Sequence, residues 1–415
     1  MKILLYCINF APEQIGVGKY TGEMAAWLAR FGHQIHVVTA PPYYPAWRIS
    51  AGYPAWRYSR EEWQGCSVWR CPLWVPARPR GVTRILHLIS FALSSLPVLL
   101  GQIGWRPDIV FVLEPPLFCA PGALLFARLT GARAWLHVQD FEVAAYFGLD
   151  FSRAGLFQRL LVSMEGWLMR RFDRVSTISK SMLERIRRLG VAESDTSIFP
   201  NWVDTKLMGT GKSDGTLRQA WNLTENEKIV LYAGNMGKKQ GLDIVLRVAQ
   251  MLQLSRPDIR FLMIGDGADR ENLKVKVHDL GLPNVIFKPL QPIQSLPSLL
   301  KLAHVHLVIQ RRGVADAVMP SKLTGILAAG GAALITADEA TELGQFIESH
   351  PGIAIRVEPE NPTALLSAIT NLIDDDDQRR RCGSIAMRYA QKHLCTDGIL
   401  SEFETLAHKM LVCDL

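Results

Sequence analysis

The chain has 415 residues, a formal net charge of +7 and a pI near 9.0, with 48% hydrophobic and 20% charged residues. That length exceeds what one hydrophobic core usually supports, so two domains are expected of a globular protein. The positive charge is spread along the chain without basic tails, which points to an anionic partner such as a nucleotide or a phospholipid surface and away from nucleic acid.

Residues 1–8 superficially resemble a signal peptide, but the apolar run is short and is interrupted by Asn9. It then enters Pro12-Glu13 with no small-residue cleavage site, so a buried first strand is expected. A glycine loop and a helix over about 20–31 follow, and residues 34–39 return as a strand. This βαβ unit implies a parallel sheet with a right-handed crossover. Further strands at 67–71, 108–113, 133–138 and 174–178 alternate with helical patterns, which predicts a doubly wound sheet for residues 1–200. Residues 85–105 carry no formal charge. They are long enough to span a bilayer, although Ser90, Ser94, Ser95, Gln102, Pro97 and the glycines dilute their hydrophobicity. A buried helix, an interfacial helix and a span all stay open. Before this stretch, Trp47, Trp56, Trp63, Trp69 and Trp74 interleave with Arg48, Arg57, Arg60, Arg70, Arg78, Arg80 and Arg84. That pairing suits the headgroup region of an anionic membrane, or equally a set of core tryptophans with solvated arginines.

The segment Phe199-Pro-Asn-Trp-Val-Asp204 breaks the pattern, and the polar run 209–215 reads as a linker. The alternation then restarts, with strands expected at 229–233, 259–264, 285–287, 304–308, 332–335 and 353–357. A second α/β domain over 201–385 and a helical C-terminus over 386–415 complete the chain. Cysteines at 7, 66, 71, 119, 382, 395 and 413 form no C-x-x-C, and neither Cys66 nor Cys71 has a histidine at ligand spacing. Reduced thiols in a cytoplasmic protein are expected. The Asp374–Asp377 run precedes three arginines and reads as a solvated turn before a helix, not a metal site. No metal and no cofactor are expected.

Several stretches carry chemistry. Tyr232-Ala-Gly-Asn-Met-Gly-Lys-Lys-Gln-Gly241 stands between an apolar strand and an amphipathic helix. A glycine turn there exposes backbone N–H groups at a helix N-terminus, and Lys238 and Lys239 add charge, so it predicts a phosphate cradle. Gly16-Val-Gly18 and Gly22 sit between the first strand and helix, one residue off the dinucleotide fingerprint. No acidic residue closes the second strand, which disfavours a nicotinamide site. His137, Asp140 and Glu142 emerge where another first-domain strand ends; a carboxylate there can orient a hydroxyl or take its proton, while His137 is either a reacting group or a satisfied packing histidine. Gly265 lies in a tight turn at 264–267. Arg311 through Gly330 contains Asp316 and then Pro320-Ser321-Lys322, a second helix start facing phosphate.

In combination these motifs resemble retaining glycosyltransferases of family 4. Phe199–Asp204 looks like the family's P-N-G-V-D signature. The runs 234–241 and 320–330 resemble donor-site motifs of the branch that builds bacterial surface polysaccharides, and Ala40-Pro-Pro-Tyr-Tyr-Pro45 narrows the likeness further. The resemblance implies a GT-B fold, α/β, with two facing Rossmann-like doubly wound domains and a final helix crossing back to the first. It implies metal-free transfer with retention, best matched to fucose from GDP-fucose. The implied acceptor is a polyprenyl-diphosphate-linked saccharide at the inner membrane face, on an anionic membrane surface. By position, Lys239, Ser321 and Lys322 would hold the diphosphate, with Gly234, Asn235, Lys238, Gln240 and Gly265 around the donor. The Gly16–Gly18 loop would close over it, and Asp140 would lie near the acceptor, with His137 and Glu142 beside it. Two departures stand out. Asn235 replaces the usual arginine, and Ala317 and Gly325 occupy the positions of the E-x7-E pair, with Asp316 the nearest substitute. A nucleotide-sugar epimerase and a non-catalytic assembly subunit remain the alternative readings.

Overall fold

The computed structural model describes residues 1–77, 81–141, 156–210, 215–312 and 320–412. It separates into two compact units, one of Met1–Asn201 with Ile399–Leu415, the other of Trp202–Gly398.

The first unit is built on β1 (Lys2–Tyr6), β2 (Gln34–Thr39), β3 (Ser59–Trp63), β4 (Cys66–Arg70), β5 (Ile109–Glu114), β6 (Arg133–Val138), β7 (Arg174–Thr177) and β8 (Thr196–Ile198). They form one sheet in the order β3-β4-β2-β1-β5-β6-β7-β8, parallel except for the β3–β4 hairpin. The strands at its centre are almost continuously apolar and buried, as expected of a parallel sheet covered on both faces. Helices α1 (Val17–Arg30), α2 (Val82–Gly101), α3 (Ala120–Thr130), α4 (Leu156–Met169) and α5 (Lys180–Arg188) supply the crossovers.

Helix α2 contains most of the uncharged stretch, and by length and composition it is able to cross a membrane. Here it is docked: His87, Leu88, Phe91, Ser95 and Leu99 are buried, and the Tyr6 hydroxyl hydrogen-bonds Ser95 Oγ at 2.6 Å. The tryptophan–arginine segment is also partly consumed by packing. Trp63 sits edge-on to Phe10 at 5.2 Å. Arg70 is 1% exposed, so it does not face headgroups, while Trp56 is exposed.

The second unit holds β9 (Lys228–Ala233), β10 (Ile259–Ile264), β11 (Val285–Lys288), β12 (Val305–Val308), β13 (Ala333–Thr336) and β14 (Ile355–Val357), all parallel, in the order β11-β10-β9-β12-β13-β14. The switch in strand order falls beside β9, so the loops leaving β9 and β10 share one edge of the sheet, where ligands of open α/β sheets bind. Around it pack α6 (Asp243–Leu252), α7 (Ser321–Ala328) and α8 (Asp376–His393). The unit border at Asn201 precedes the polar run 209–215, which the sequence suggested as the linker.

The C-terminal helix α9 (Thr396–Val412) joins the first unit from Ile399 onward. The sequence placed this return at 386, inside α8. That helix stays with the second unit because Ala386 and Ala390 enter its core and Gly383 lies against Gly330, where an added Cβ would stand 2.3 Å from the Gly330 oxygen. In the first unit Phe403 packs against Trp135 (4.7 Å between ring centroids), Phe199 (5.2 Å) and Phe111 (5.3 Å), and Glu404 accepts from His33 Nε2 at 2.8 Å. Phe403→Ala should therefore lower the stability of the first unit by about 3–5 kcal/mol. The check is a denaturant midpoint followed by tryptophan fluorescence; a change below about 0.5 kcal/mol, the scale of neutral surface substitutions, would contradict this packing role.

Candidate functional site

In the second unit, β9 ends at Ala233 and the chain turns through Gly234 (φ +150°) into Asn235, Met236 and Gly237. A single 3₁₀ turn, Lys238–Gln240, and Gly241 (φ +65°) lead into α6. The turn is internally braced: the Tyr232 hydroxyl donates to the Asn235 oxygen at 2.6 Å, and the Gly237 N–H donates to Gln240 Oε1 at 3.0 Å. Gln240 therefore has a structural bond of its own. The loop after β10 lies directly against this turn, with Gly234 N–H donating to the Ile264 oxygen (2.9 Å) and Met236 N–H to the Asp266 oxygen (2.8 Å). A Cβ at Gly265 would stand 2.0 Å from the Gly234 oxygen. Gly265 thus earns its place by letting two backbones touch.

Helix α7 begins after Pro320 with no side-chain cap; Ser321 is exposed, and its carbonyl accepts from Thr324 Oγ1 at 2.7 Å. The uncapped start leaves its first turn available to an anion. From this start the Lys322 side chain reaches across to β9, with its ammonium 4.2 Å from the centre of the Tyr232 ring. An added Cβ on Gly234 would meet Lys322 Cδ at 3.5 Å and Nζ at 4.0 Å. The glycine turn and the α7 start, separate in sequence, are therefore one place. Burial pulls the Lys322 ammonium down to about 7, and among the described residues no carboxylate pairs with it. Lys238 and Lys239 are exposed on the 3₁₀ turn, also without a carboxylate partner among the described residues. Arg311 adds a cation that the sequence reading did not single out. Its N–H donates to the Lys239 oxygen (3.4 Å), its side chain packs on Gly241, and it pairs with Asp243 at 3.5 Å.

In the first unit the glycine loop has a hidden anchor. Glu13 is buried; its Oε1 accepts the N–H groups of Tyr43 (3.0 Å) and Tyr44 (2.9 Å), and its Oε2 accepts from Asn9 Nδ2 (2.9 Å). Burial raises its pKa, and these hydrogen bonds work against that rise. A Cβ on Gly18 would stand 2.4 Å from Glu13 Oε2, and Gly16 (φ +65°) faces the Tyr44 ring. Arg70 donates to the Ala40 and Ala11 carbonyls, at 3.0 and 2.5 Å, and pairs with Glu61 at 2.6 Å. Together Glu13 and Arg70 tie the loop after β1 to the loop after β2. No local pattern in the sequence marks either residue.

His137 was named as a candidate reacting group with packing as the alternative, and its surroundings favour packing. It is 2% exposed and stacks on Phe111; Gln139 Nε2 donates to its Nε2 at 2.9 Å, which leaves Nδ1 to donate to Ser176 Oγ at 2.9 Å. Burial pulls its pKa down to about 3. Both nitrogens are committed and the ring is neutral, so His137 is corrected to a packing residue. Asp140 is exposed where β6 ends, within electrostatic reach of Arg185. Glu142 and Asp316 lie outside the described residues, as does Ala317; Gly325 is half-buried on α7. The aspartate run is tied up: Asp374 pairs with Arg256, Asp375 caps α8, and Asp376 and Asp377 pair with Arg379 and Arg380. Among the described residues no group of three ligating side chains is placed to hold a metal ion.

Residues 16–202 match the glycosyl transferase 4-like domain family, and residues 213–389 match the glycosyl transferases group 1 family. The chain is 46% identical over 408 residues to the putative colanic acid biosynthesis glycosyl transferase WcaI of Escherichia coli, covering 97% of this chain and 98% of that protein. It is 22% identical to N-acetyl-alpha-D-glucosaminyl L-malate synthase of Bacillus anthracis over 99% of this chain and 97% of that protein. Among solved structures, sucrose-phosphate synthase from Thermosynechococcus elongatus superposes with a TM-score of 0.76 at 17% identity, each chain being 99% covered. That likeness is one of fold, the GT-B fold of two Rossmann-like parallel sheets. The chain belongs to the GT-B glycosyltransferases of the family 4 type and is a glycosyltransferase.

Proposed function

We propose that this enzyme transfers a sugar, fucose from GDP-fucose, with retention, to a polyprenyl-diphosphate-linked saccharide in the building of colanic acid or a closely related exopolysaccharide. The work would take place at the cytoplasmic face of the inner membrane. The observation that carries the donor side is the Lys322 ammonium, held over Tyr232 beside the Gly234 turn and the uncapped start of α7. As the sugar–phosphate bond breaks, negative charge grows on the departing diphosphate. A preorganised cation in a poorly solvated place stabilises that charge more than it stabilises the bound donor. Lys239 and the Ser321 turn add to the same field, and Asp140 would orient the acceptor hydroxyl. The pathway rests on the likeness to the Escherichia coli colanic acid glycosyl transferase. The guanine base and fucose rest on family resemblance, whereas the Anabaena HepE structures were solved with UDP and UDP-glucose.

Purified enzyme given lipid-linked acceptor extracted from membranes should add one deoxyhexose from GDP-fucose, read by mass, with the anomeric configuration of the donor kept. Transfer from UDP-sugars alone would overturn the donor, donor turnover without any acceptor would favour an epimerase, and no turnover with any donor would favour an assembly subunit.

Lys322 also sets a pH dependence. Burial pulls its pKa down to about 7, and an anion favours the protonated form, so binding takes up a proton above that pH. A nucleotide-sugar carries no phosphate group titrating in this range. Its affinity should be flat below pH 7 and fall by up to about tenfold per pH unit above it, the linkage expected of one proton. In Lys322→Met the slope should vanish and kcat/KM should fall by about 2–3 kcal/mol, roughly 30- to 150-fold, as for a lost hydrogen bond to a charged group. Lys239→Ala, removing an exposed charge, should cost about 1 kcal/mol, roughly fivefold. Calorimetry across pH and initial rates test both; a larger loss at Lys239 than at Lys322 would reverse the assignment.

A further inference from the structure

A groove of about 1000 Å³ runs between α3 and α4 in the first unit, where β6 begins, at the opposite edge of the sheet from the Gly16 loop and Asp140. Leu125 and Arg128 of α3 line it on one side, and Trp167 and Arg171 at the end of α4 on the other. The outward surfaces beside it are apolar. Leu125 and Leu129 are 50% and 56% exposed, and Leu160, Met164 and Trp167 are 57%, 52% and 49% exposed. Spacings of four and three residues put each set on one helix face, where a water-facing helix normally carries polar side chains. Helix α2 adjoins α3, since a Cβ on Gly122 would meet Leu96 at 3.2 Å, and it too exposes Leu86 and Leu93.

The charges on this layer are one-sided. Helices α2, α3 and α4 carry Arg84, Arg128 and Arg159, and their one acid, Glu165, is 1% exposed. In the groove the exposed carboxylate of Asp173 is already engaged by Arg133 (3.0 Å) and by the Ala134 N–H (2.7 Å). The Arg171 guanidinium stacks 3.3 Å from the Trp167 ring centre and donates to the Trp167 carbonyl at 2.7 Å. Among the described residues neither Arg128 nor Arg171 pairs with a carboxylate. An apolar face whose exposed acid, Asp173, is already paired and whose arginines lack carboxylate partners among the described residues carries like charge toward a second copy of itself. It matches an anionic lipid surface, in which tryptophan and arginine lie at headgroup depth and leucine at the acyl boundary.

We propose that the outward face of α3 and α4 docks the first unit on an anionic phospholipid bilayer, with Arg128 and Arg171 receiving a headgroup phosphate in the groove and Leu125, Leu129, Leu160, Met164 and Trp167 entering the acyl boundary. This deepens the membrane reading given above by naming the surface. It moves the contact away from the tryptophan-rich segment before α2, where Arg70 is buried.

The test is co-sedimentation of the full chain with vesicles of phosphatidylcholine, with and without phosphatidylglycerol. The protein should bind the phosphatidylglycerol vesicles, less so as salt screens the charges. At about 1 kcal/mol per arginine near an anionic surface, Arg128→Gln/Arg171→Gln should weaken partitioning about thirtyfold. Leu129→Ser/Met164→Ser should weaken it as well, and both variants should keep the parent thermal midpoint and nucleotide affinity. Equal binding to both vesicle types would overturn the proposal. So would wild-type binding by both variants, or binding that is lost only in Leu86→Ser/Leu93→Ser on α2. Self-association lost in the same variants, without vesicle binding, would overturn it in favour of a second copy as the occupant. These vesicles contain no acceptor and no donor, so a failure of the proposed transfer reaction leaves the result intact, and the reverse holds too.

Discussion

A lysine ammonium held against an aromatic ring governs the second unit. The Lys322 charge over Tyr232 is only partly compensated by the ring, because a cation–π contact returns less than the water it displaces. The neighbourhood is arranged around leaving that deficit in place. The hydroxyl of Tyr232 is turned away into a hydrogen bond with Asn235. Gly234 has no side chain to crowd the ammonium, and Gly265 has none to push the Gly234 turn out of position. An underserved cation next to free helix N–H groups is what a diphosphate completes.

The arrangement follows from topology. In a parallel sheet every strand points the same way, so the ends of β9 and β10 and the start of α7 arrive at one edge from distant parts of the chain. The exposed Lys238 and Lys239 contribute a weaker, screened field that suits attraction of an anionic donor more than discrimination at the reacting bond. In the first unit a buried pair plays the scaffolding part. Glu13 and Arg70 hold two loops by their backbone groups, and the glycine at position 18 is dictated by the space Glu13 occupies.

The parallel framework was legible because its strands are short apolar runs punctuated by glycine and polar residues. Residues 34–39, 133–138 and 259–264 are strands over the expected lengths. Strand β3 was missed because Ser-Arg-Glu-Glu-Trp has no apolar alternation; it is an edge strand stabilised by its hairpin and by Glu61 with Arg70. The glycine turn and the α7 start were each visible as anion-facing motifs, but their meeting at Tyr232 depends on strand order and was not. His137 shows the opposite failure. A histidine at a strand end looks reactive, yet Phe111, Phe199 and the Gln139–Asn201 pair bury and occupy it, and all of these but Gln139 are remote in sequence. The apolar faces of α3 and α4 escaped notice because short helices with a leucine stripe read as ordinary core helices until exposure is known.

The most direct measurement is a crystal structure of the full chain with a nucleoside diphosphate, the phosphorus atoms located by difference density. The β-phosphate should lie within hydrogen-bond reach of Lys322 Nζ and of the first N–H groups of α7, beside Gly234. A diphosphate bound elsewhere, with the Lys322 ammonium still resting on Tyr232, would contradict it.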